Sequence, residues 1–223
     1  MNKEDIHSVK QYELFGPGIF IPNFELIERG MEAEMVVKML FDTHQVKRFS
    51  CIEFDPNAPY PVDADQPYSW KKWRGTRNIE KLSRRIYNRS LVVFKFEGED
   101  IYLYKILGLG SKVKVEGGAV KHMRMLDFDD DDTNVDINKI KDIGLPRGIV
   151  LKTDNSYHYY GSDLVSEDGW KYWIQSLIRL GGKKQLFGST YLPLCLERGY
   201  STLRLFGYKD TSKQKTPVVV ATI

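Results

Sequence analysis

The stretches Met123-Arg-Met-Leu-Asp-Phe-Asp129 and Ile149-Val-Leu-Lys-Thr-Asp-Asn-Ser-Tyr-His-Tyr-Tyr-Gly161 decide how this chain reads. The first is an apolar run ending in Asp-x-Asp. Alternate residues of a strand share a face, so Asp127 and Asp129 project to the same side. Two carboxylates on one strand offer the hard oxygen ligands that Mg2+ or Mn2+ prefers. The second stretch reads as a strand over 149–153, a polar turn, and another strand over 158–160. Alternation through Ser156-Tyr157-His158 puts a hydroxyl and an imidazole on one face, and Lys152, Asp154 and Ser156 alternate in the same way. Together the two stretches imply metal-assisted chemistry on a phosphate-bearing ligand.

The flanking sequence predicts the frame that holds them. Residues 113–129 contain strands interrupted at Gly117-Gly118, and 137–143 is a short helix ended by Gly144 and Pro146. Residues 168–180 form a helix burying Trp170, Trp173, Ile174, Leu177 and Ile178, with Gly181-Gly182 as its stop. Closing strands are expected at 202–206 and 217–223. In the first half, apolar spacing predicts a helix over 25–41, a strand over 48–54, a proline-rich loop over 55–61 and a helix over 70–88. A hairpin of 91–96 with 101–107 follows, turning at Glu97-Gly-Glu-Asp100. The expected class is α+β, a sheet with helices on one side plus an N-terminal α/β lobe. Residues 1–110 would form that lobe and 111–223 the half carrying the motifs. Alternatively, pairing between the hairpin and the second half makes one continuous domain.

Composition narrows the partners only slightly. A net charge of +3 over 223 residues names none by itself, but its distribution is uneven. Lys71, Lys72, Arg74, Arg77, Lys81, Arg84, Arg85 and Arg89 crowd one segment, opposed only by Glu80, while Asp129 to Asp132 form an acidic run. Cys51 and Cys195 are far apart and lack a metal-ligand spacing, which fits reduced thiols and a cytoplasmic location. No apolar run approaches a membrane span, and the N-terminus lacks a secretion-signal layout.

The order of motifs resembles the archaeo-eukaryotic primase superfamily, the primase-polymerases, and most closely its small bacterial branch. Leu126-Asp-Phe-Asp129 is similar to that family's metal-binding strand, and Asn155-Ser-Tyr-His-Tyr-Tyr-Gly161 to its Ser-x-His motif. Leu196-Glu-Arg-Gly-Tyr-Ser-Thr-Leu-Arg-Leu205 resembles the segment after its last metal-binding aspartate. The likeness runs from about Lys114 to Ile223 and implies an RNA-recognition-motif-like core. It also implies a nucleotidyltransferase acting on nucleoside triphosphates over single-stranded or template DNA, or RNA. Asp127 and Asp129 would bind Mg2+ or Mn2+, and Ser156, His158, Arg204 and Lys152 would hold the nucleotide. One departure stands out: the third acid of the pattern would fall near Ser189, where Phe187-Gly-Ser-Thr-Tyr191 carries no carboxylate. A catalytically inactive nucleotide- or nucleic-acid-binding module, with protein partners in a replication, repair or phage-defence complex, is the alternative.

Each motif also has a plainer reading. Aspartates often follow strands as turn and cap residues, so Asp127 and Asp129 also suit the start of a solvated loop. His158 among aromatics suits a hydrogen-bonded structural histidine, and Ser156 suits a turn. Arg204, flanked by Leu203 and Leu205, suits a packed stem paired with an acid. The basic segment interleaves cations with Trp70, Trp73 and Tyr87, a combination that grips single strands by charge and stacking. Lys71, Lys72, Trp73, Arg74, Arg77 and Arg84 are its candidates, against the plainer reading of a solvated helix face.

Overall fold

The computed structural model describes residues 26–54, 69–72, 93–96, 99–102, 106–128, 137–184, 191–205 and 215–223. In chain order these give α1 (Ala33–Thr43), β1 (Val46–Phe54), β2 (Ser69–Lys72), β3 (Val93–Phe96), β4 (Glu99–Tyr102), β5 (Ile106–Val115) and β6 (Val120–Phe128). The second half adds α2 (Ile137–Lys141), β7 (Gly148–Lys152), β8 (Tyr157–Val165), α3 (Glu167–Lys184), α4 (Tyr191–Arg198), β9 (Thr202–Arg204) and β10 (Val218–Thr222).

Eight strands form one sheet in the order β10-β7-β8-β6-β5-β1-β2, with β9 also against β5, and every pairing is antiparallel. β3 and β4 make a separate hairpin, with Phe96 opposite Glu99. Each face of the large sheet carries its own core, as period-two alternation requires. On one face α1 supplies Val36, Val37, Leu40 and Phe41 to pack on Met123, Met125, Leu151 and Tyr160. On the other, Trp170, Trp173, Ile174 and Leu177 of α3, Ile140 of α2 and Leu192 of α4 cover Leu126, Phe128, Val150 and Tyr159. The three helices of the second half thus share one side of an α+β sheet, as expected, and α1 covers the opposite side.

A fork in β5 shapes the site. Its Lys112–Lys114 stretch pairs with β6, whereas Gly108–Gly110 pairs with β9. Since β1 runs along the whole of β5, β6 and β9 share the same edge and part at Ser111. There the Ser111 N–H donates to the Ser201 carbonyl (2.8 Å), and the Ser111 hydroxyl accepts the Ser201 N–H (3.0 Å). That hydroxyl lies 3.2 Å from His122 Nδ1, and the His122 ring stacks on Trp170 at 4.7 Å. Burial, helped by the nearby Lys112 charge, pushes the His122 pKa down to about 4, so the imidazole is neutral. The expected division between residues 110 and 111 falls inside β5.

Several expectations need correcting. The helix expected over 25–41 begins at Ala33. Gly30 takes φ +91° and gives its N–H to the Val219 carbonyl, and Glu32 bridges to Val218, so this stretch is spent on the edge of β10. Residues 70–72, expected to start a helix, instead lie in β2, where pairing with Arg48–Cys51 of β1 overrides helical spacing. Residues 99–100 are paired strand rather than turn, and Ile106 belongs to β5. Gly181-Gly182 does not stop α3, which continues to Lys184. Glycine costs a helix about 1 kcal/mol, too little to end one anchored by Trp170, Trp173, Ile174 and Leu177.

Candidate functional site

Asp127 and His158 stand directly opposite each other on β6 and β8. Both follow the alternation of buried neighbours. Met125 precedes Asp127 on its face, and His158 lies between Leu151 of β7 across the ladder and Tyr160 two residues on. His158 Nε2 lies 3.8 Å from Asp127 Oδ1, an ion pair whenever the imidazole is protonated. The His158 side chain is nearly buried, whereas that of Asp127 is 23% exposed, so the carboxylate is the accessible member.

Ser156 closes this group from the turn before β8. Its hydroxyl lies 3.4 Å from Asp127 Oδ1 and in close contact with the Phe128 carbonyl. The turn is held separately: Thr153 N–H donates to the Ser156 carbonyl, and Ser156 N–H to the Thr153 hydroxyl. The Ser156 side chain is therefore turned towards the end of β6.

Arg204 enters from β9, the strand admitted by the fork. Its Nη2 donates to Asp154 Oδ2 (2.9 Å) and its Nη1 to the Lys215 carbonyl (2.6 Å). Burial lowers the pKa of its guanidinium, opposed first by the Asp154 carboxylate and then by Asp127 and Tyr160. Tyr160 is buried and its hydroxyl is pushed up by desolvation and by the Asp127 charge. Arg204, Asp127 and Tyr160 thus act on one another electrostatically.

Lys152 is not brought to this group. It pairs with Tyr157, one register step from the Leu151–His158 pair, and therefore faces the other side of the sheet. Its ammonium sits 4.2 Å from the centre of the Tyr157 ring. The alternation expected through Asp154 and Ser156 fails because β7 ends at Lys152 and residues 153–156 turn. Asp129, the residues around Ser189, and Trp73, Arg74, Arg77 and Arg84 lie outside the described residues, while Lys71 and Lys72 lie in β2.

Sequence reasoning missed Asp154 and Tyr160. Tyr160 continues the Ser156–His158 alternation and was legible from it. Asp154 meets Arg204 only through the fold, across a separation of 50 residues. Among the described residues no group of three His, Cys, Asp or Glu side chains could hold a metal ion. Asp127 presents one partly exposed carboxylate, a hard-oxygen group that could hold a divalent cation only together with further ligands.

Residues 97–217, more than half of the chain, match the family described as AEP-like, archaeo-eukaryotic primase 1D-like. The chain belongs to this archaeo-eukaryotic primase-like family. No curated protein and no solved structure matches it. The match spans β4 to the segment before β10, and so contains Asp127, Ser156, His158 and Arg204. Membership makes this a primase-like domain of nucleotidyltransferase type, from a family that typically uses divalent metals. No helix among the described residues is long and apolar enough to cross a membrane.

Proposed function

We propose that this primase-like domain binds a nucleoside triphosphate with Mg2+ or Mn2+ beside Asp127 and His158, and joins nucleotides on a nucleic-acid template. The observation that carries the reading is the meeting of Asp127, Ser156 and His158 at one end of two neighbouring strands, within 3.8 Å of one another through the Asp127 carboxylate. The His158 imidazole and the Ser156 hydroxyl donate hydrogen bonds to phosphate oxygens. Arg204 adds a planar guanidinium that can grip two oxygens at once. Asp127, with Asp129 by the alternation of the sequence, holds the cation. When bound, the cation eases attack of a 3′-hydroxyl on the α-phosphate and offsets charge on the departing pyrophosphate.

Binding of single-stranded or template DNA, or of RNA, is assigned to Lys71, Lys72, Trp73, Arg74, Arg77 and Arg84 on the strength of their cation–aromatic interleaving. A cytoplasmic setting, within a replication, repair or phage-defence complex, suits such a substrate. Primer extension with Mn2+ tests the proposal. The chain should incorporate nucleotides, and Asp127→Ala should reduce incorporation by at least about a hundredfold, the scale of losing an essential catalytic group. Incorporation that survives Asp127→Ala overturns the assigned site. Nucleotide binding without extension by the wild type points to the noncatalytic module.

A further inference from the structure

We infer that Asp154 is a positioning residue, one that fixes the Arg204 guanidinium for the phosphate tail of the nucleotide. The inference rests on the triphosphate reading of the site above and extends it to a side chain just outside the Asn155–Gly161 motif. Asp154, Arg204 and Lys215 close a ring of hydrogen bonds. Arg204 Nη2 donates to Asp154 Oδ2 at 2.9 Å, and Arg204 Nη1 donates to the Lys215 carbonyl at 2.6 Å. The Lys215 N–H returns to Asp154 Oδ1 at 3.0 Å. The ring joins the turn after β7, the short strand β9 and the segment entering β10, so two other stretches hold the guanidinium that β9 supplies.

A long arginine side chain ordinarily samples many rotamers, and ordering it on binding weakens the complex. In this ring the guanidinium plane is set by acceptors on both Nη atoms before any ligand arrives. The Arg204 side chain is only 8% exposed and that of Asp154 15%, so solvent screens their contact little. A guanidinium carries five N–H donors and can serve several acceptors together, which lets the carboxylate remain in place while phosphate is bound. The Asp127 charge acts on the same guanidinium. Asp154 therefore fixes the direction of the Arg204 guanidinium without itself touching the nucleotide.

The test is calorimetric titration of the full chain with a Mn2+–nucleoside triphosphate and with the corresponding nucleoside. Asp154→Asn keeps an acceptor for the Lys215 N–H but removes the charge that holds Arg204. It should weaken triphosphate binding about tenfold, the scale of one charge-assisted hydrogen bond, and leave nucleoside binding unchanged. In an Arg204→Ala background the same change should add no more than about twofold, because its effect runs through Arg204. If Asp154→Asn does not fold, Asp154→Ser, which retains a shorter acceptor, is measured in its place. Undiminished triphosphate affinity in the variant, or an equal loss in both backgrounds, overturns the inference. A wild type that binds no triphosphate overturns instead the site reading on which it rests.

Discussion

Replacing His122 by Asn puts the fork of β5 to a quantitative test. In the folded protein this imidazole is fully buried, lies 3.2 Å from the Ser111 hydroxyl and stacks on Trp170. Burial, then the Lys112 charge, holds its pKa near 4, against an ordinary 6.5 in the unfolded chain. Between these values the unfolded chain takes up a proton that the folded protein refuses. Stability from this group is therefore complete above pH 6.5 and declines as the pH falls towards 4. At about 1.36 kcal/mol per pH unit, the interval amounts to about 3 kcal/mol. Urea unfolding followed by tryptophan fluorescence at pH 7 and pH 4 measures it, since Trp170 and Trp173 are both buried. Carboxylates titrate in the same range, so the informative quantity is the difference between wild type and variant. The wild type should lose about 3 kcal/mol more than His122→Asn across this interval. Equal losses would refute the picture of a neutral, enclosed imidazole at the point where β6 and β9 part.

Other perturbations probe the face of the sheet that α3 covers, opposite His158. Asp163→Asn strips the buried Arg124 guanidinium of a carboxylate bonded through both oxygens (2.5 and 2.6 Å) and should cost about 3–5 kcal/mol in chemical denaturation; a loss below about 1 kcal/mol contradicts the burial of the pair. Gly148→Ala drives a methyl group into the Tyr159 ring and to 2.7 Å from the Tyr160 carbonyl, so stability should fall by about 1–3 kcal/mol, read as a lower melting temperature. Lys152→Ala should change triphosphate affinity by less than about twofold, because Lys152 stacks on Tyr157 across the sheet from His158; a tenfold loss in a binding assay would return it to the site.

Local signals carried much of this fold. The apolar stripe of α3 placed Trp170, Trp173, Ile174 and Leu177 in the core because helical periodicity alone fixes which side chains share a face. The Gly117-Gly118 reversal was legible for a similar reason: both residues take positive φ, which glycine tolerates. The true start of α1 and the strand β2 were not legible, since each depends on a partner strand remote in sequence, β10 for the first and β1 for the second. The site divides along the same line. Asp127 and His158 follow from strand alternation and motif order, Ser156 reaches them from the turn before β8, and β6 and β8 do lie side by side. Lys152 falls on the opposite face because strand alternation does not continue through the turn at 153–156. The Asp154–Arg204 contact is created by the fork, which no short window of sequence reveals.

Binding of a nucleotide beside Asp127 and His158 is the property from which the proposed chemistry follows. Calorimetric titration of the wild type and of His158→Ala with a nucleoside triphosphate, with and without Mn2+, measures this without requiring catalysis. The prediction is saturable binding that depends on Mn2+ and weakens about tenfold in His158→Ala, the scale of one lost hydrogen bond to a charged group. Equal affinity in the two proteins, or no binding by the wild type, would contradict it.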